Sequence, residues 1–138
     1  MNAEEKYLAG GNFFKAAEGD NYLTLTSEVA REFYLNDEGE EVADETQGRF
    51  RLEYKVDAYS EKNGLQRAKT FRAPKPLIQQ IAELRKTSRP VVGEWFRLTR
   101  NGEGKDTTYT AVRVAREDLP SKLRNLLQGY DKLNPPAL

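Results

Sequence analysis

Residues 49–59 read Arg49-Phe50-Arg51-Leu52-Glu53-Tyr54-Lys55-Val56-Asp57-Ala58-Tyr59. Their alternation decides the fold class. Phe50, Leu52, Tyr54, Val56 and Ala58 share one face of an extended chain, and Arg49, Arg51, Glu53, Lys55, Asp57 and Tyr59 share the other. This is a half-buried β-strand with a charged outer face. Glu61-Lys62-Asn63-Gly64 follows as a hairpin turn, because Asn-Gly supplies the positive φ angles that tight hairpins need. Residues 66–73 form the return strand. Its facing is ambiguous, since Arg67, Lys69 and Phe71 alternate with Ala68, Thr70 and Arg72.

Toward the C-terminus, Pro74 and Pro76 stop the return strand, and Pro76 suits the first turn of a helix. Leu77, Ile78, Ile81 and Leu84 follow at helical spacing, with Arg85 and Lys86 placed to complement the helix dipole. Arg89-Pro90 ends the helix. Residues 93–101 read as a strand with Phe96 and Leu98 inward and Trp95, Arg97 and Thr99 outward. Residues 101–104 turn the chain, and 106–114 form the last strand, with Val112 and Val114 inward and Tyr109 and Arg113 outward. Leu123, Leu126, Leu127 and Tyr130 then line one side of a short helix that starts at Pro120 and is limited by Gly129 and Pro135-Pro136. That stripe docks on the domain or, alternatively, dimerises the chain.

Toward the N-terminus lie an acidic loop and a first β-segment. Residues 37–45 carry Asp37, Glu38, Glu40, Glu41, Asp44 and Glu45 with no basic residue, a solvated connector. The spacing is not that of a calcium loop. Residues 20–26 and 29–35 have β-forming character. The expected domains are a flexible arm at 1–12, a β-domain at 13–116 and an amphipathic tail at 117–138. Three β-segments, a helix and a final hairpin give a mainly β chain. Its element order is that of a five-stranded oligonucleotide/oligosaccharide-binding (OB) barrel, with one helix between strands 3 and 4 and a short C-terminal helix.

Composition narrows the chemistry. The 138 residues include no Cys and no His, which excludes disulfides, zinc fingers, thiol nucleophiles and histidine bases. No apolar run is long enough to span a bilayer, and residues 1–6 lack the pattern of a leader, so a cytoplasmic chain is expected. Lys+Arg and Asp+Glu both number 22, but they are segregated. Residues 1–48 hold 3 basic and 12 acidic side chains, whereas residues 49–116 hold 16 basic and 7 acidic ones. A basic middle interleaved with aromatic residues suits unpaired nucleic acid: cations neutralise phosphates, and rings stack on bases. Residues 102–108 lack the spacing of a phosphate-binding loop and read as a turn. No nucleophile–base pair is apparent, so no enzyme, metal or cofactor is expected.

Two stretches carry a family resemblance. Gly11-Asn12-Phe13-Phe14-Lys15, continued by Glu18-Gly19-Asp20-Asn21-Tyr22, resembles the opening of phage-encoded single-stranded DNA-binding proteins with an OB fold. Gly93-Glu94-Trp95-Phe96-Arg97-Leu98-Thr99-Arg100, with Gly102-Glu103-Gly104-Lys105-Asp106-Thr107-Thr108-Tyr109-Thr110, resembles their final hairpin and is the more specific match. The likeness spans residues 11–115. It implies a replication or recombination accessory protein that coats single-stranded DNA without chemistry, with Arg100 and the 102–108 turn near the strand. Two features depart from the pattern: this chain cannot build a Cys/His zinc site, and residues 117–138 are neutral where many members have an acidic recruiting tail. The candidate DNA contacts are Lys15, Arg49, Arg51, Lys55, Arg67, Lys69, Arg72, Lys75, Trp95, Arg97, Arg100, Lys105, Tyr109 and Arg113. The expected partners are single-stranded DNA, replication or recombination proteins, and a second copy through the C-terminal helix. The competing readings are a protein-interaction OB module and, more weakly, a sugar-binding one.

Overall fold

The computed structural model describes residues 13–28 and 30–133. The arm expected at 1–12, the Pro135-Pro136 stop and the Tyr130 side chain lie outside the described residues. The strands are β1 (Gly19–Leu25), β2 (Arg31–Leu35), β3 (Glu41–Val42), β4 (Arg49–Ser60), β5 (Gly64–Arg72), β6 (Trp95–Asn101) and β7 (Thr108–Val114). Helix α1 (Lys75–Lys86) separates β5 from β6, and α2 (Ser121–Leu133) follows β7. The antiparallel sheet runs β3-β2-β4-β1-β6-β7, with β5 on the remaining edge of β4.

β4 is the hub of this arrangement. On one edge, residues 56–59 pair with β1 and residues 49–53 with β2. On the other edge, residues 53–60 pair with β5. The alternation read from the sequence holds where strands cover both edges: Tyr54, Val56 and Ala58 are buried with Leu23, Leu25, Phe71, Phe96 and Leu98. α1 closes this core with Leu77, Ile81 and Leu84. Burying side chains of this size contributes about 1.5–3 kcal/mol each.

The β4–β5 turn uses three residues, 61–63, with Gly64 at φ +69° as the left-handed position. This is the longer hairpin in which a type I turn ends on a left-handed glycine. The ambiguous facing of residues 66–73 has a physical cause. A β-bulge breaks the register between Val56↔Lys69 and Ala58↔Gln66, so Arg67 and Ala68 together oppose Asp57. Ala68 takes φ +53°. The Asp57 carboxylate holds the bulge by accepting the Ala68 N–H at 2.8 Å and an Arg67 guanidinium N–H at 3.1 Å. An extra residue reverses the side-chain phase, which no single alternation pattern can describe.

The closed five-stranded barrel is not what forms. Among the described residues no ladder joins β5 to β7, and the seven-stranded sheet stays open along that seam. Residues 13–17 lie there instead. Phe13 bridges Thr70 in parallel, and the Phe14 N–H donates to the Thr70 carbonyl at 2.9 Å. The Phe14 ring packs edge-on against Phe71 at 5.0 Å. Fully buried Asn21 clasps the same segment. Its Oδ1 accepts the Ala17 N–H at 2.9 Å, and its Nδ2 donates to the carbonyls of Ala17, Gly19 and Leu98. The edge of β5 is satisfied by this segment rather than by β7.

Three further expectations are corrected. β7 faces the other way from its sequence reading, since Tyr109 and Ala111 pack on the main core and Val114 on the opposite face beside Trp95. The acidic stretch is not a plain connector: Glu41–Val42 pairs back on β2, and Asn36 Oδ1 accepts the N–H groups of Glu38 and Glu40. A Cβ on Gly48 would stand 2.7 Å from the Leu35 backbone and from Val42, so glycine permits this fold-back. In the turn that follows, the Thr46 hydroxyl and N–H hold the Asp44 carboxyl below its usual pKa. Trp95 and Tyr59, read as outward, are buried on the second face of the sheet beneath α2. They form a separate cluster there with Leu119, Leu123 and Leu127. The C-terminal stripe therefore docks on its own domain, although Leu126 stays 44% exposed.

α1 ends in a Schellman arrangement. Arg89 N–H reaches the Leu84 carbonyl and Ser88 N–H the Arg85 carbonyl, with Ser88 at φ +59°. Glycine is the residue suited to that position. Ser88→Gly is expected to stabilise the protein by about 1 kcal/mol, read as a higher thermal midpoint.

Candidate nucleic-acid interface

A cleft of about 780 Å³ opens along the seam where the barrel would have closed. Each wall follows from local structure. Residues 13–17 contribute Phe14, Lys15 and Ala16. The start of β4 contributes Phe50, Arg51 and Leu52, and the end of β5 Phe71 and Arg72. The entry to α1 contributes Pro74, Lys75 and Ile78, and the final hairpin Arg100 and Tyr109. Among the described residues the lining includes five cationic side chains, Lys15, Arg51, Arg72, Lys75 and Arg100, and no carboxylate. With cations in excess on the described wall, even allowing for the Arg72–Glu53 pair behind it, the potential inside favours an anion, and the cleft walls focus that field.

Two of the arginines are held in place. Arg100 lies on the core side of β6, and its Nη1 donates to the Ala16 carbonyl at 2.9 Å. Its buried Nε has no partner among the described residues. Arg72 is tied by Nε to Glu53 Oε2 at 3.3 Å, and Glu53 also receives Arg31 at 3.2 Å. Lys15, Arg51 and Lys75 are exposed. No acidic residue occupies the first turn of α1, and no side chain caps it. The positive end of its dipole thus meets the cleft unopposed.

Six of the fourteen candidate residues converge here: Lys15, Arg51, Arg72, Lys75, Arg100 and Tyr109. The other eight lie outside the lining. Arg49 is exposed at the first position of β4. The Lys55 ammonium bonds the Thr70 hydroxyl. Arg67 is engaged by Asp57 at the bulge, beside half-buried Lys69. Arg97 hydrogen-bonds Tyr22, whose phenol is pushed up in pKa by burial and by Asp20, with Arg97 opposing. Arg113 Nε lies 3.5 Å from Glu94, and Lys105 sits exposed in the Gly104–Asp106 3₁₀ turn. Trp95 is only 6% exposed. A ring so covered has no face to offer a base while α2 is docked.

One aromatic in the cleft departs from its sequence expectation. Phe50 has the parity of the core face, yet it is 49% exposed and leans on Tyr34 at 5.7 Å. β4 runs past the end of β1, so its first residues have no core beneath them. The signal in the sequence was the length of the alternating run, longer than one core layer accommodates.

The acidic hairpin of β2 and β3 adjoins the cleft through Leu35, but none of its carboxylates lines it. Among the described residues no group of three or more potential metal ligands converges. None of their helices is long and apolar enough to cross a membrane. No family model, curated protein or solved structure matches the chain.

Proposed function

We propose that the chain binds single-stranded DNA in this cleft with little sequence preference, protecting the strand during replication or recombination, in the cytoplasm of a bacterial host if phage-encoded. One observation carries the reading: among the described residues, five cations with no carboxylate share a cleft with the rings of Phe50 and Tyr109. Lysine and arginine neutralise successive phosphates and release counterions. Exposed rings accept any base, because every base has a π-face. The open seam supports the reading, since a single strand needs a trough rather than a closed cavity. No reaction on the strand is proposed.

The competing protein-interaction reading loses its tail argument, because Leu123 and Leu127 are buried against the domain. The test is fluorescence anisotropy of a labelled, unstructured oligothymidylate across a salt series. Five phosphate contacts give log affinity against log salt a slope of about −3.5. No binding even at low salt would reject the reading. Partners captured from lysate that survive nuclease treatment, in a chain that ignores the oligonucleotide, would favour the protein-interaction alternative.

A further inference from the structure

From Arg72 on the cleft wall, aromatic rings and guanidinium groups alternate in a ladder across three chain segments. Arg31 on β2 stands 4.9 Å from the centroid of the Phe33 ring. Arg72 on β5 stands 4.9 Å from the same centroid and 5.5 Å from that of Phe13. Phe33 is buried at 6% exposure, and Glu53 fixes both guanidiniums from beneath. The ladder therefore has a rigid inner end and a free outer end, Phe13, which is 41% exposed.

The position of Phe13 is also fixed. Its backbone is bridged to Thr70, and its neighbour Phe14 is buried against Phe71. Two adjacent aromatic residues on an extended segment point to opposite sides, so burial of Phe14 presents Phe13 outward. A flat ring held by a cation on one face, beside a cationic cleft, has the geometry of a stacking platform.

We propose that Phe13 is a base-stacking platform at the rim of the cleft. It would take the unpaired base next to the phosphate held by Arg72 and Lys15. This inference rests on the single-strand reading of the cleft and adds a specific contact to it. The Arg72 guanidinium clamped between Phe33 and Phe13 fixes the ring before the strand arrives, so little rotamer freedom is lost on binding.

The test compares the full chain with Phe13→Ala and Phe13→Trp on two probes of equal length, an oligothymidylate and an abasic oligomer with the same phosphates. Phe13→Ala is expected to weaken oligothymidylate binding about 5- to 150-fold, and to change abasic binding less than about twofold. Phe13→Trp restores oligothymidylate affinity, and its indole fluorescence is quenched by that probe alone. Thermal unfolding of each variant confirms that it is folded at the assay temperature. Equal losses on both probes, or no loss on either while the parent chain binds, would overturn the platform and leave the cleft standing. Failure of the parent chain to bind either probe would overturn both.

Discussion

Trp95→Ala is expected to cost about 3–5 kcal/mol of stability, while the protein that remains folded binds single-stranded DNA as tightly as the parent. The indole fills the interface between the sheet and α2, touching the cluster of Tyr59, Leu119, Leu123 and Leu127. Truncation leaves a cavity that α2 and the sheet can only partly close, and such cavities are the costliest core changes. Denaturant unfolding measures the loss, and anisotropy at a temperature where the variant is folded measures binding. The milder Trp95→Phe keeps the fold under the same assay. Parent-like stability with lost affinity would mean that the ring meets the strand, contrary to its position under the helix. For the same reason, Trp95 emission is expected to be that of a buried indole and to change little when oligonucleotide is added.

Reversing two cleft cations, Arg51→Glu with Lys75→Glu, is expected to weaken oligothymidylate binding by about 25-fold or more at 0.1 M salt. It should also flatten the salt slope by about 1.4, because each phosphate contact on a single strand contributes about 0.7. Both side chains are exposed, so stability is little affected. The informative control is Lys62→Glu with Lys105→Glu. That pair changes the net charge identically, but neither residue lines the cleft. If the field of the whole molecule attracted the strand, the two pairs would behave alike. If the cleft does, the control keeps its slope and loses affinity only modestly. Equal losses in both pairs would spread the binding over the surface and remove the cleft as its seat.

Much of the fold was legible because β4 alternates strictly and α1 carries Pro76, Leu77, Ile81 and Leu84 at helical spacing. What escaped the sequence were features of tertiary origin. Closure of a barrel depends on whether two distant strands pair, and here Asn21 and Phe14 hold residues 13–17 in the place a β5–β7 ladder would need. Neither residue announces that role in a one-dimensional pattern. Outward parity on β4 and β6 reads as exposure, yet α2 covers that face, so Tyr59 of β4 and Trp95 of β6 join a second core. Parity gives the side of a strand, whereas burial depends on what packs against that side.

Part of the candidate site's clustering was legible: six of the fourteen candidate residues line one cleft. Segregated charge and aromatic content suggest a polyanion, and the two stretches around Lys15 and Arg100 include two residues that the structure brings together in the cleft. The strand faces alone did not separate Arg51 and Arg72, which line it, from Arg67, Arg97 and Arg113, which are engaged by Asp57, Tyr22 and Glu94. The Phe13-Phe14 doublet carried an overlooked signal. Adjacent rings on an extended segment take opposite faces: Phe14 enters the core, and among the described residues no second layer covers Phe13 as α2 covers Trp95 beside Phe96.

The most direct measurement is a backbone-amide chemical-shift titration of the full chain with an unstructured oligothymidylate. Binding in the cleft predicts shifts that saturate together at residues 13–17, 50–52, 71–78, 100 and 109, while Trp95, Arg97 and the residues of α2 stay in place. Shifts centred on the α2 face, or a spectrum unchanged at saturating oligonucleotide and low salt, would contradict the account.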